Sequence, residues 1–226
     1  MSRKIKQSDG WLQTVSKPAL LSLIKAAYWP RVEGRKNIPK SGATIIVSNH
    51  KHDLDPFMIM SGRWGRKTHF LAKHECTDWK IGPAIGAFGV IFVDREAKDK
   101  TAIKEQVAKF MDKGRVIALF PEGTRNKTAD ITMPFKMGAV SFAAKNNATL
   151  VPAAIVGEYK LFGRGGLKII FGKPVKVNKK SLPETNEKLY DIINKLLVSN
   201  GEEKYRPNIY KHYQAKAEKE AAKKGK

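Results

Sequence analysis

Two short stretches of the chain hold the residue types that acid–base and anion chemistry need. In Ser48-Asn49-His50-Lys51-His52-Asp53-Leu54-Asp55-Pro56, an imidazole and a carboxylate stand five positions apart. Histidine is the side chain whose proton affinity suits a general base near neutral pH, and a carboxylate beside it can orient the ring and stabilise its cation. Five residues of continuous helix turn through about 500°, which would put the two on nearly opposite faces. His50 and Asp55 therefore meet only across a turn. Asp55-Pro56 supplies one, because Pro fits a first helical position and Asp the cap before it. Plainer readings compete: Asp55 as a helix cap and nothing more, His50 as an idle loop residue, or Asp53 as the carboxylate that serves His50.

The second stretch is Phe120-Pro121-Glu122-Gly123-Thr124-Arg125. Glycine lets a backbone approach a ligand closely, threonine offers a hydroxyl, and arginine grips phosphate or carboxylate in a planar fork. A third, Gly89 to Glu96 (GVIFVDRE), carries Asp94 and Arg95. His50 and His52 beside aspartates also invite a metal reading by zinc-ligand chemistry. It fails on register, since Leu54 and Asp55 stand where a His-x-His-x-Asp-His pattern needs Asp and His, and His69, His74 and His212 offer no further ligand spacing. No metal and no bound cofactor are expected.

The elements that must position these residues are legible as short apolar runs. Thr44–Ser48, Thr68–Ala72, Gly89–Val93, Arg115–Phe120, Leu150–Val156 and Leu167–Phe171 read as strands, near-continuous in apolar character and so covered on both faces. Both chemical stretches follow directly on such strands, the place where α/β sheets carry their sites. Ile103, Val107 and Phe110 recur at helical spacing before Gly114. Leu189, Ile192, Ile193, Leu196 and Leu197 mark a second helix, with a capping box at Ser181 and Glu184 and a stop at Asn200-Gly201. The alternation predicts an α/β fold, a layered mixed sheet flanked by helices, with an N-terminal amphipathic helical segment. The expected division is a membrane-associating segment over 1–30, a catalytic domain over 31–205 and a basic tail over 206–226.

The N-terminal segment holds a short amphipathic turn at Trp11, Leu12 and Val15. A helix starting at Ser16 and Pro18 follows, with Leu20, Leu21, Leu23, Ile24, Ala27 and Tyr28 as its apolar stripe. Insertion into a lipid interface and packing on the domain both fit that stripe.

Composition limits the function classes. The chain has 226 residues, 42% of them hydrophobic, which excludes a mainly disordered protein. The lone Cys76 excludes an internal disulfide framework and suits a reducing compartment. Lys+Arg number 43 against 21 Asp+Glu, a net charge of +22 that predicts an anionic partner. Residues 1–40 contribute nine Lys/Arg against two acids, net +7. Neither Ala19–Trp29, broken by Lys25, nor Ile81–Val93 approaches the roughly 20 apolar residues of a spanning helix. No nucleic acid is expected, since no zinc-finger, RRM or helix-turn-helix signature accompanies the charge.

Asn49-His50-x4-Asp55, then Val93-Asp94-Arg95-Glu96, then Phe120-Pro121-Glu122-Gly123-Thr124-Arg125, then Val151-Pro152-Ala153-Ala154 together resemble the ordered sequence blocks of the glycerolipid acyltransferases. The likeness covers roughly residues 30–175 and is nearest to the bacterial enzymes that acylate 1-acyl-sn-glycerol-3-phosphate. It implies acyl transfer from acyl carrier protein or acyl-CoA to the sn-2 hydroxyl of that lysophosphatidic acid. His50 would be the general base, and Asp55 would orient it. Arg125 and Arg95 would hold the acceptor's phosphate, with Lys73 as a further basic group. Glu122, Gly123 and Thr124 would order the pocket and Pro152 would shape it. The partners implied are an anionic membrane surface and an acidic or nucleotide-bearing acyl donor. The place implied is cytoplasmic, peripheral on the inner face of the cell membrane. Glycerol-3-phosphate and a lyso-ornithine lipid are the alternative acceptors. A metal-dependent hydrolase and a basic nucleic-acid-binding protein are the rivals from other classes.

Overall fold

The computed structural model of the chain describes residues 11–62, 65–78, 82–94 and 101–224. Seven strands form one sheet: β1 (Arg31–Glu33), β2 (Thr44–Ser48), β3 (Thr68–Lys73), β4 (Ile91–Val93), β5 (Val116–Leu119), β6 (Thr149–Val156) and β7 (Lys168–Phe171). Their spatial order is β1-β7-β6-β2-β5-β3-β4. Every neighbouring pair is parallel except β6 with β7, so the sheet is mixed, as the alternation of apolar runs with helices predicts. Successive side chains of a strand point to opposite faces. In β2 both sets are buried, because Ile45 and Val47 join one apolar core while Ile46 joins the other. That double burial explains why the strands read as unbroken apolar runs.

The helices supply the two outer layers. Val107, Phe110 and Met111 of α4 (Thr101–Asp112), Val140 of α5 (Gly138–Lys145), and Leu189, Ile193 and Leu197 of α6 (Leu182–Ser199) fill the first core. Leu21 and Ile24 of α1 (Trp11–Tyr28) fill the second with Met58, Ile59 and Met60 of α2 (Asp55–Ser61). The short α3 (Gly82–Ala87) lies against α1, and α7 (Arg206–Lys224) closes the chain.

Several elements depart from the sequence expectation. The turn at Trp11 and the helix expected from Ser16 are one continuous α1, with Pro18 in its interior. A proline there removes one backbone donor, and long-range contacts carry the helix past it: Gln13 Nε2 donates to Thr68 O (2.7 Å) and Phe88 O (2.5 Å). The stripe is split as well. Leu21 and Ile24 are buried against the sheet, whereas Leu23 stays exposed, so packing claims that face of the helix. β1 escapes the pattern because it is three residues long and largely exposed, and no sequence periodicity marks α3 or α5 as a helix. At α6, Ser181 does cap, accepting from Glu184 N at 3.4 Å. The Glu184 carboxylate completes no box, however; it accepts from Asn178 Nδ2 at 3.2 Å.

Candidate active site

β2 and β5 lie side by side and parallel, so the loops that leave their carboxyl ends meet at one edge of the sheet. His50 leaves β2 two residues beyond Ser48. Asn49 fixes its departure, with its side-chain amide donating to Ile155 O (3.0 Å) and accepting from Ile155 N (2.8 Å) on neighbouring β6. The His50 backbone is then gripped by the second stretch. His50 N donates to Glu122 Oε1 at 2.7 Å, and His50 O accepts from Asn126 N at 2.7 Å. Phe120 stacks on the imidazole, centroids 4.2 Å apart.

The His50–Asp55 pair forms across the turn. Nδ1 lies 2.8 Å from Asp55 Oδ2. The plain-cap reading of Asp55 does not hold, since the residue before the helix is Leu54 and the carboxylate turns back toward its own loop. Oδ2 also accepts from Lys51 N (2.6 Å) and His52 N (2.8 Å), and Oδ1 accepts from Tyr159 Oη at 2.5 Å. Burial alone would raise this carboxyl. Hydrogen bonds from His50, Tyr159 and the His52 amide outweigh it and hold Asp55 below the ordinary carboxylate range. A carboxylate facing Nδ1 assigns the proton to that nitrogen, which turns Nε2 into the basic atom. The imidazole side chain keeps 18% of its surface exposed while Asp55 keeps none. The arrangement is a base that reaches solvent, backed by an anion that does not.

Asp53 serves a different partner. Its Oδ2 accepts from Arg125 Nη1 at 2.6 Å, so the rival carboxylate for His50 pairs with the expected phosphate-binding arginine instead. Glu122 is buried, and its second oxygen accepts from Met133 N at 3.0 Å. Both of its oxygens therefore brace backbone. Burial pushes its carboxyl up to about 7, against the pull of the Met133 and His50 amides. Gly123 takes a left-handed φ of 75°, and a Cβ there would come within 2.9 Å of Lys136 Nζ. The lysine side chain lies across the glycine, a cation over the loop that carries Arg125, which no spacing in the sequence announces. Thr124 is exposed at the loop tip. Lys73 is exposed at the carboxyl end of β3, on the same sheet edge. Pro152 is buried within β6 opposite Val47, a sheet position away from the loops. Arg95 lies outside the described residues.

The sequence reading missed the groups that lock these loops from behind. Lys51 Nζ, inside the site loop, donates to Gly157 O (2.6 Å) and to both oxygens of Glu202 (2.7 and 2.9 Å). Gly157 N donates to Glu202 Oε2 at 2.9 Å. Tyr213 Oη of α7 donates to Lys51 O at 2.6 Å, and Arg206 Nη2 to Asn126 O at 3.0 Å. Thus the first two turns of α7, in the segment expected to be a basic tail, clamp both loops. A buried lysine at position 51 or a glutamate 151 residues away gives no local pattern. His52 diverges from His50: its ring stacks on Tyr159 with centroids 4.1 Å apart, and its Nδ1 accepts from Leu54 N. Among the described residues no three His, Cys, Asp or Glu side chains come together as a metal would need.

Residues 30–156 match the family model described as Acyltransferase. A 1-acyl-sn-glycerol-3-phosphate acyltransferase of Bacillus subtilis is 32% identical over 149 residues, covering 64% of this chain and 73% of that protein. One of Borreliella burgdorferi is 34% identical over 133 residues, covering 58% of this chain and 52% of its own length, so the chain spans about half of that relative. Among solved structures, the 1-acyl-sn-glycerophosphate acyltransferase PlsC of Thermotoga maritima is alike in fold, with a TM-score of 0.63 at 21% identity over 83% of this chain and 79% of that one.

Proposed function

The chain belongs to the acyltransferase family, and we propose that it transfers an acyl group from a thioester to the sn-2 hydroxyl of 1-acyl-sn-glycerol-3-phosphate, giving phosphatidic acid. The observation that carries the reading is the His50 Nδ1 to Asp55 Oδ2 contact at 2.8 Å, with Asp55 fully buried. In this mechanism Nε2 takes the proton of the acceptor hydroxyl as its oxygen attacks the thioester carbonyl. The C–O bond forms, the tetrahedral intermediate collapses, the C–S bond breaks, and the imidazolium returns its proton to the departing thiolate. Asp55 stabilises the transient imidazolium without taking its proton, as the carboxylate of a triad does, although no serine is acylated here.

Arg125, with Arg95 and Lys73 by family resemblance, binds the acceptor's phosphate, for which a guanidinium is the better-shaped cation. Lys136, lying over Gly123, adds charge at the same place. The donor is acyl carrier protein or acyl-CoA. No helix among the described residues is long and apolar enough to cross a membrane, and the reading has the enzyme working from the inner face of the cell membrane as a peripheral protein. The supporting names are those of the Bacillus and Borreliella relatives.

The test is transfer of a labelled acyl group to lysophosphatidic acid, glycerol-3-phosphate and a phosphate-free lyso-lipid, each with and without chelator. Lysophosphatidic acid should be the preferred acceptor in both conditions. A preference for glycerol-3-phosphate would move the enzyme to another acceptor, and activity lost to chelator and restored by zinc would favour the metal-dependent hydrolase.

A further inference from the structure

We infer that Trp29, Leu161 and Phe162 form an apolar ledge that seats the protein on a bilayer containing anionic lipid, at the sheet edge where the catalytic loops emerge. The inference rests on the lipid acceptor proposed above and says which surface meets that lipid.

Topology places the ledge. β6 runs parallel to β2, so the loop that follows β6, residues 157–167, leaves from the edge that carries His50. β7 is antiparallel to β6, and β1 is parallel to β7. The amino end of β1, with Trp29 and Pro30 just before it, therefore lies at that same edge. The two segments are stitched there by Phe162 N donating to Ala27 O at 2.6 Å. Gly163 rests on the Trp29 ring, where an added Cβ would fall 2.8 Å from an indole carbon.

The three side chains are left in water at a cost. Trp29, Leu161 and Phe162 are 63%, 52% and 62% exposed. Trp29 and Phe162 also have left-handed backbones, φ 46° and 59°, conformations that bulky residues rarely adopt and that persist where surrounding contacts impose them. Strain that holds aromatic rings outward gains nothing in a molecule alone in water. It gains a good deal beside a bilayer, whose interface favours aromatic rings.

Charge identifies the occupant. Exposed Lys25, Arg31 and Arg164 flank the ledge. Lys160 does too, though it is paired with Glu158 Oε2 at 2.8 Å, and Glu33 follows Arg31 by two residues, so the rim carries four cations against two acids. A basic rim around apolar anchors is the pattern of a surface that meets anionic headgroups. The ledge also connects to the site. Tyr28 meets Tyr159 edge-on with centroids 5.7 Å apart, and Tyr159 holds Asp55. Trp11 and Val15 are exposed too, but they begin a helix about 27 Å long whose start is tied to Thr68, at the opposite edge of the sheet. The membrane contact is thus the end of α1, where Leu23 is also exposed six residues before Trp29, together with the loop after β6.

The test is flotation of the full-length protein with vesicles of phosphatidylglycerol and phosphatidylcholine that contain no acceptor. Phe162→Asn keeps a residue that tolerates the left-handed backbone, so the double variant Leu161→Ser/Phe162→Asn should fold. It should bind the vesicles at least tenfold more weakly, while Trp11→Ser binds as the wild type does. Its turnover on detergent-dispersed acceptor should stay within twofold of wild type and should fall only when the acceptor is presented in vesicles. The ledge is wrong if the double variant floats like wild type, if Trp11→Ser weakens binding equally, or if light scattering shows a wild-type dimer that the double variant dissolves. A wild-type protein that floats through this ledge yet acylates no lysophosphatidic acid would support the surface and overturn the proposed reaction.

Discussion

The two loops that build the site are held very differently. The loop from His50 to Asp55 is fixed at almost every polar group: its amides to Asp55 and Glu122, its carbonyls to Asn126 and Tyr213, and its buried lysine to Glu202 and Gly157. The tip of the loop from Pro121 to Asn126 is open. Arg125 reaches a carboxylate whose side chain is 63% exposed, and Thr124 touches solvent. Proton transfer requires a base held within a fraction of an ångström of its productive position. A cation that captures and releases an anionic headgroup needs room to exchange partners. The difference predicts that the first loop sets turnover and the second sets acceptor recognition.

The largest effect should come from the rigid loop. His50→Ala removes the base and should lower kcat by about 10²–10⁴, with KM for both substrates little changed. Thermal stability should fall as well, because the buried Asp55 carboxylate loses its imidazole partner. Equal losses of kcat and of acceptor affinity would break the division between the loops.

Next in size is a pH effect on the brace between them. Glu122 has its carboxyl raised from about 4.5 to about 7 by burial. The folded protein therefore binds more protons than the unfolded chain between those values, and stability falls as pH rises through that window. At about 1.4 kcal/mol per unit, the loss is on the order of 3 kcal/mol. In thermal melts, the stability of wild type relative to Glu122→Gln should fall steadily from about pH 4.5 to about 7 and then level off. A difference that is flat across the window would mean that Glu122 is charged throughout.

Much of the fold was legible because its signals are local. Six strands of the central sheet are apolar on both faces and so stand out as runs, and a serine three residues before a glutamate marked the start of α6. β1 and α5 were not legible: a three-residue edge strand has no period, and Gly138 to Lys145 reads as a connection. The site divides in the same way. His50, Asp55 and Arg125 carry their chemistry in their types and spacing. Lys51, Tyr159, Glu202, Arg206 and Tyr213 become visible only when the fold brings Glu202 onto Lys51, 151 positions away, and nothing in local periodicity reports a contact of that range. Glu122 lies between these cases: the family resemblance implies that it orders the pocket, and only the fold reveals that both of its oxygens bind backbone amides.

The smallest effects should come from the open loop, and they divide by partner. Arg125→Ala should lower kcat/KM for the phosphorylated acceptor by ten- to a hundredfold, since a charge-assisted contact is worth about 1.5–3 kcal/mol, and should spare a phosphate-free lyso-lipid. Asp53 now occupies the guanidinium as a competing anion, at 2.6 Å. An exposed ion pair of this kind contributes about 0–1 kcal/mol, so displacing it costs the acceptor little. Asp53→Asn should accordingly lower KM for the phosphorylated acceptor by no more than about fivefold, leave kcat unchanged, and have no effect in the Arg125→Ala background. The double-variant cycle separates the possibilities. If Asp53→Asn lowers kcat, or acts equally with and without Arg125, then Asp53 belongs to the rigid loop's machinery, and the contrast between a fixed base and an exchangeable anion grip fails at that residue.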